Sequence, residues 1–197
     1  MQDPTNDDAR LALDLALTIR HDGHGGVADD LTDPAGLTTW AQAHVAPGFV
    51  AGDAELAAVR ELRAAIRALF ARAVRPAAPS PADAARLMPV PDAVDLLNMA
   101  AARTPTIPVL HWAEDAEPVV EHRAPSDDLV AVLARAAIAF LAGPERQQLR
   151  ACHAPRCVRY FIKEHPRQEW CKPACGNRAR VARHHQRHRK PVDGLGE

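Results

Sequence analysis

Four cysteines are the only thiols in the 197-residue chain, and they fall within one short segment: Cys152, Cys157, Cys171 and Cys175. Their spacing is Cys-x4-Cys, then 13 residues, then Cys-x3-Cys. Two close pairs joined by a linker form the pattern by which a chain closes a tetrahedral zinc site. Each pair clasps one edge of the tetrahedron, and the linker brings the edges together. Four thiolates leave no coordination position open for water, so the chemistry is structural rather than catalytic. His153 and His165 lie near enough in sequence to replace a ligand, but four cysteines already complete the set.

The segment that holds these thiols has a charge of its own. The chain as a whole carries a net −1. Residues 1–149 carry 12 arginines against 21 acids, whereas residues 150–190 carry 12 basic side chains against Glu164 and Glu169 alone. An asymmetry on this scale points to a basic module with a polyanionic partner. The residues after the last cysteine pair read Gly176-Asn177-Arg178-Ala179-Arg180-Val181-Ala182-Arg183-His184-His185-Gln186-Arg187-His188-Arg189-Lys190. Val181 is the only large apolar residue among them, so core packing does not account for this helix. Arg180, His184, Arg187 and His188 share one face at helical spacing, with Arg183 and Arg187 on the next. Arginine grips a phosphate or a guanine edge bidentately, and histidine hydrogen-bonds either. Cys175 falls in the first turn of that helix, where free backbone N–H groups favour a thiolate.

The elements that must position these residues follow from periodicity. A helix is predicted over 8–20, with Leu11, Leu15 and Ile19 in one row, and a loop over 21–33. Asp33 caps a short helix that starts at Pro34 and runs to about His44. Residues 53–75 form the clearest helix. Asp53 is its cap, and Leu56, Val59, Leu62, Ile66, Leu69 and Val74 face inward, with Arg60, Arg63, Arg67 and Arg72 on the other sides. A further helix covers 91–102 with Val94, Leu97 and Ala101 inward. Residues 106–123 read as a β-hairpin of edge type, because Pro108 and Pro118 interrupt pairing. Ser126 caps a last N-terminal-domain helix that ends at about Ala142. The fold class is mainly α: a helical N-terminal domain with one β-hairpin, plus a small C-terminal four-cysteine zinc-finger module ending in a basic helix. The expected boundaries are 1–146, 147–191 and a tail over 192–197. Residues 150–190 hold six large apolar side chains (Val158, Tyr160, Phe161, Ile162, Trp170 and Val181). That is too little to order some forty residues, so a metal and docking against the N-terminal domain must do the rest.

At Trp170-Cys171-x3-Cys175-Gly176-Asn177-Arg178, preceded by Cys152-x4-Cys157, the chain resembles the CGNR zinc finger family. Its N-terminal part, from Leu11-Ala12-Leu13-Asp14-Leu15 through Asp30-Leu31-Thr32-Asp33-Pro34 and Trp40, is similar to the ABATE-type domain that accompanies that finger. The resemblance implies a bacterial, stress-induced transcription regulator, with the finger as its DNA-binding part and the N-terminal domain as its sensing part. It implies Cys152, Cys157, Cys171 and Cys175 as zinc ligands and Gly176, Asn177 and Arg178 as motif residues. The physical expectations are that Gly176 permits a close turn at the metal, that Asn177 bonds the knuckle backbone, and that Arg178 meets a phosphate or Glu169. The chain departs from common members at Gln168-Glu169 and at Leu15-Ala16-Leu17-Thr18.

The expected function is therefore DNA-binding transcription regulation, with structural Zn2+ as the cofactor. Asn177, Arg178, Arg180, Arg183, His184 and Arg187 are the candidate nucleic-acid contacts. Double-stranded DNA is the expected partner, with room for a small-molecule effector and a homodimer. RNA binding or a protein-interaction zinc module is the alternative. No Walker A loop, Rossmann glycine pattern or Gly-x-Ser-x-Gly elbow appears, so an enzyme is not expected. The N-terminus is acidic without an apolar stretch, and the longest apolar run, Leu129 to Ala142, is 14 residues and contains Arg135. Neither feature suits export or membrane insertion, and a cytoplasmic location is expected. The acidic domain could mask the basic helix. Asp14, in an apolar helix, needs a partner such as the helix start near Asp33. The residues His21-Asp22-Gly23-His24 read as a flexible loop, and Trp40, Trp112 and Trp170 as core or interface residues.

Overall fold

The computed structural model describes residues 4–24, 26–85, 87–125 and 128–188. Among them the chain forms six α-helices and three two-stranded antiparallel sheets. Helix α1 (Pro4–Leu17) leads into strands β1 (Ile19–His21) and β2 (Val27–Asp29). Then come α2 (Pro34–His44), α3 (Asp53–Ala73), α4 (Val90–Ala102), the hairpin β3 (Ile107–His111) and β4 (Val119–Arg123), and α5 (Leu129–Ala142). Strands β5 (Leu149–Ala151) and β6 (Tyr160–Ile162) precede the last helix, α6 (Pro173–His188). No helix among the described residues is long and apolar enough to cross a membrane.

Helices α1, α3, α4 and α5 pack together around Leu15, Val59, Leu62, Ile66, Phe70, Leu97, Leu133 and Phe140. The expected stripe on α3 is correct for its aliphatic residues, but Arg63 and Arg67 are also buried. Burying a guanidinium is tolerable only if its donors are taken. Arg63 makes a bidentate pair with Asp29 (2.5 and 2.6 Å) and donates to Thr18 Oγ1. Arg67 pairs with Asp83 through two bonds (2.9 and 3.0 Å) and donates to the Ala16 carbonyl. On α4 the inward row is Ala93, Leu97 and Ala100, and Val94 is 40% exposed, so the predicted row was displaced at its two ends.

The first predicted helix ends early. The Thr18 hydroxyl donates to the Leu15 carbonyl and accepts from Arg63, which turns the chain out of the helix into β1. The predicted loop is thus a small hairpin pairing Ile19 with Asp29 and His21 with Val27. Asp22 Oδ1 accepts from the His24 and Gly26 amides and shapes its turn, so the expected flexible loop is an ordered hairpin turn. Two caps also differ. Gly52 precedes α3 and its amide donates to Glu55, while Asp53 begins the helix. Asp128 caps α5 by accepting from the Ala131 amide; Ser126 lies outside the described residues. Asp33 caps α2 as expected, accepting from Gly36, so it leaves no opening for Asp14. Asp14 instead stands half-buried near His44, Arg10 and Arg159, and burial raises its pKa against those cations.

The β3–β4 hairpin forms as predicted, pairing Ile107 with Arg123 and His111 with Val119. It projects from the body, and Trp112 is 71% exposed, so it is not a core residue.

The C-terminal module is joined to the helical core rather than tethered to it. Leu149, Ala151 and Tyr160 belong to the same apolar cluster as α3 and α5. Tyr160 is fully buried, with its ring edge-on to Phe70 at 5.5 Å and its hydroxyl donating to Asp83 Oδ2 at 2.7 Å. The Arg67 guanidinium lies over the same ring, 5.3 Å from its centroid. Ser80 adds a bond from its hydroxyl to the Val158 carbonyl at 2.8 Å. The docking inferred from the apolar shortage is therefore made by Leu149, Ala151 and Tyr160 in the shared core, with the Tyr160 hydroxyl inside the Arg67–Asp83 network.

Removing Asp83 would leave Arg67 buried and unpaired. Asp83→Ala is expected to lower unfolding free energy by about 3–5 kcal/mol in urea titrations, and Tyr160→Phe by about 1–3 kcal/mol. Asp29 gives a pH dependence. Burial raises its pKa, but the hydrogen bonds from Arg63 and from the Leu31 amide outweigh that and hold it below 3.8. A carboxylate with a folded pKa below its unfolded value stabilises above about pH 4 and loses that contribution as pH falls through the folded value. The urea midpoint is expected to drop below about pH 4, and Asp29→Asn to flatten that part of the curve.

Candidate metal centre and the basic helix it carries

Two local structures deliver the cysteines. Strands β5 and β6 form a hairpin whose connecting loop carries the first pair. Within it the Cys152 amide donates to the Arg159 carbonyl, and the Cys157 amide to the Ala154 carbonyl, both at 2.9 Å. Arg156 adopts a left-handed backbone with φ 63°, which lets four intervening residues close the turn. The second pair flanks the start of α6, with Cys171 before it and Cys175 inside its first turn, as predicted. The sequence reading did not foresee β5 and β6. Three-residue strands carry no periodic signal, and only the cysteine spacing marked the turn between them.

The four sulfurs lie within 4.8 Å of one another, and all but Cys171 are buried. Cys157 Sγ is 3.7 Å from Cys171 Sγ, which is 3.4 Å from Cys175 Sγ. A tetrahedron with zinc–sulfur bonds of about 2.3 Å has sulfur–sulfur edges of about 3.8 Å, so the donor set fits zinc. His153 and His165 contribute nothing to the cluster. Four thiols this close cannot all ionise on their own. Hydrogen bonds from the Cys157 and Cys171 thiols hold the Cys152 pKa down, as one thiolate shared by its neighbours. The hydrogen bond to Cys152 in turn pushes Cys157 up to about 11, and Cys171 is raised by the same two neighbours. A divalent cation at the centre reverses that repulsion, and its binding must release protons.

The motif residues after Cys175 have roles the sequence did not supply. Gly176 lies in α6 against Trp170, and a Cβ there would approach Trp170 Cδ1 to 3.0 Å. Glycine permits that close packing inside the helix; it does not form a turn at the metal. Arg178 turns back to the cluster: Nη2 donates to Cys175 Sγ at 3.1 Å and Nε to the Pro155 carbonyl at 3.1 Å. It binds the knuckle to the helix and places positive charge on a ligand sulfur, and it does not meet Glu169. Asn177 accepts from Arg180 at 2.5 Å rather than bonding the knuckle backbone.

Beyond this turn α6 is solvent-facing. Only Cys175 and Ala179 are buried, and Val181 is 56% exposed. Arg180, Arg183, His184 and Arg187 are exposed, and the His184 and His188 rings lie 4.3 Å apart, tilted by 46°, on one face. The helix contains no acid, and among the described residues no ion pair joins it to the N-terminal domain. The acidic domain therefore does not cover it in this conformation. Arg189, Lys190 and the tail lie outside the described residues.

A helical body with a four-cysteine module seated on it and a bare basic helix leaving that module define a zinc-finger protein. Comparison with known families agrees. Residues 9–144 match the ABATE family, described as "Putative stress-induced transcription regulator", and residues 148–188 match the CGNR zinc finger. The chain belongs to the ABATE family and carries a CGNR zinc finger at its C-terminal end. No curated protein matches it.

Arg178 is expected to act as an outer partner of the metal. Arg178→Ala should leave the fold intact but lower zinc affinity, read by competition with a chromogenic chelator, by about 10–100-fold, the usual effect of losing such a partner. Gly176→Ala should perturb Trp170 and shift its fluorescence, with a smaller effect on zinc retention.

Proposed function

We propose that the protein is a cytoplasmic DNA-binding transcription regulator, with the finger as its reading head and the N-terminal domain as its regulatory part. The supporting observation is α6: a 16-residue helix without acids, fixed at its first turn by four cysteines and exposed along its length. At about 1.5 Å per residue such a helix is roughly 24 Å long, and at about 10–12 Å across it fits a B-DNA major groove. The deep, narrow major groove of A-form RNA does not admit a helix, so the geometry favours duplex DNA. Arg180, Arg183, His184 and Arg187 face outward and contact phosphates and base edges. Asn177 and Arg178 act behind them, by ordering Arg180 and the knuckle. The reading assigns no catalytic step to any residue.

The test is fluorescence anisotropy of the zinc-loaded protein with random-sequence duplex across a salt series. Affinity is expected to fall with a log–log slope of about −0.9 per phosphate contacted. Arg183→Gln with Arg187→Gln should flatten that slope by about 1–2 units, and Cys171→Ser should abolish binding. Absence of binding at low salt, together with retention of an acidic protein in a pulldown, would move the assignment to a protein-interaction module. Preference for structured RNA over duplex would move it to RNA.

A further inference from the structure

The arginines of the N-terminal domain are almost all spoken for. Among the described residues, Arg20, Arg60, Arg63, Arg67, Arg103 and Arg123 each pair with a carboxylate, and Arg135 donates to the Thr104 carbonyl. Arg10 stands near Asp14. The remaining three, Arg72, Arg75 and Arg146, come from separate parts of the chain: the last turn of α3, the residues after it, and the 3-10 turn after α5. They line one cavity of about 640 Å³ between α3, α4 and α5.

The rest of that cavity is apolar. Leu69, Leu97, Ile138 and Leu141 form its floor, and none of its lining residues is acidic. This is unusual ground for a domain in which acids outnumber arginines by 21 to 12. Three guanidiniums without a carboxylate partner line the same opening, and an anion entering it meets no competing acid in the lining. Ligand sites generally combine an apolar lining with a few convergent polar groups in about 300–1,000 Å³. Attraction of Arg72 to the α3 C-terminus would account for one of the three, but not for the convergence of all three on one apolar floor.

We propose that this cavity binds a free amphiphilic anion: an apolar chain on the Leu69–Leu97–Ile138–Leu141 floor and one carboxylate or comparable oxyanion between Arg72, Arg75 and Arg146. Bidentate arginine–carboxylate geometry supplies the head-group selectivity. The inference rests on the reading of the N-terminal domain as the regulatory part and gives its effector a chemical class.

Decanoate is the probe, titrated calorimetrically into the full-length zinc-loaded protein, with 1-decanol as its uncharged counterpart. Saturable one-to-one binding of decanoate is expected, at least about tenfold tighter than that of decanol. Arg72→Gln/Arg75→Gln/Arg146→Gln should weaken decanoate by about tenfold or more and leave decanol unchanged. All three side chains are exposed, so zinc content and far-ultraviolet circular dichroism should be unaltered. Leu141→Asp, which places a charge on the half-buried part of the floor, should weaken both ligands. Equal affinity for decanoate and decanol, or a triple variant that binds decanoate normally, would overturn the proposal. Binding to phosphatidylglycerol vesicles without decanoate binding would also overturn it, as would a triple variant that loses duplex affinity but keeps decanoate. Duplex affinity of the same preparations, read by anisotropy, separates the two readings. Its loss in the unaltered protein counts against DNA binding alone, while the decanoate titration stands by itself.

Discussion

Four sulfur atoms held within 4.8 Å of one another are the constraint on which the C-terminal module depends. Without a cation at the centre, the thiols share protons and one ionises at the expense of its neighbours. With a dication all four become ligands, and the hairpin loop carrying Cys152 and Cys157 is locked to the start of α6. Helix α6 has almost nothing else to hold it, since Cys175 and Ala179 are its only buried residues. Its direction is therefore set by the four-cysteine cluster, by Trp170 packed on Gly176, and by Arg178 reaching back to Cys175 and Pro155.

That cluster has a fixed base. Tyr160 inserts between Phe70 and Arg67, and its hydroxyl completes the coordination of Asp83. Arginine 67 touches α1 through the Ala16 carbonyl and the finger through the Val158 carbonyl. One buried cation thus joins three parts of the chain. A change in how α3 packs against its neighbours has a short physical route to the finger, through Arg67 and Tyr160, because α3 also lines the cavity that holds Arg72.

The legibility of the sequence followed the kind of signal each feature leaves. Long amphipathic helices such as α3 and α5 write a period into the chain, and the cysteine ligands write a spacing. Both were readable from residue types alone. The buried state of Arg63 and Arg67 was not, because the carboxylates that permit it, Asp29 and Asp83, lie 34 and 16 residues away. Strands of three residues, as in β1, β2, β5 and β6, are too short to alternate visibly. They exist because tertiary partners fix their ends, Thr18 and Arg63 in one case and the cysteine loop in the other. Arg178 was expected to meet a phosphate or Glu169. The Cys175 sulfur, three residues earlier in the same helix and one turn back, accepts from its Nη2 instead.

The account stands or falls on the metal centre, because the direction of α6 and the exposure of its arginines follow from it. X-ray absorption at the zinc edge of the purified protein tests this most directly. The expected spectrum is fitted by four sulfur scatterers at about 2.3 Å and no lighter atoms in the first shell. A first shell containing imidazole nitrogen or water oxygen, or a protein that holds no metal and has its cysteines as disulfides, would contradict it.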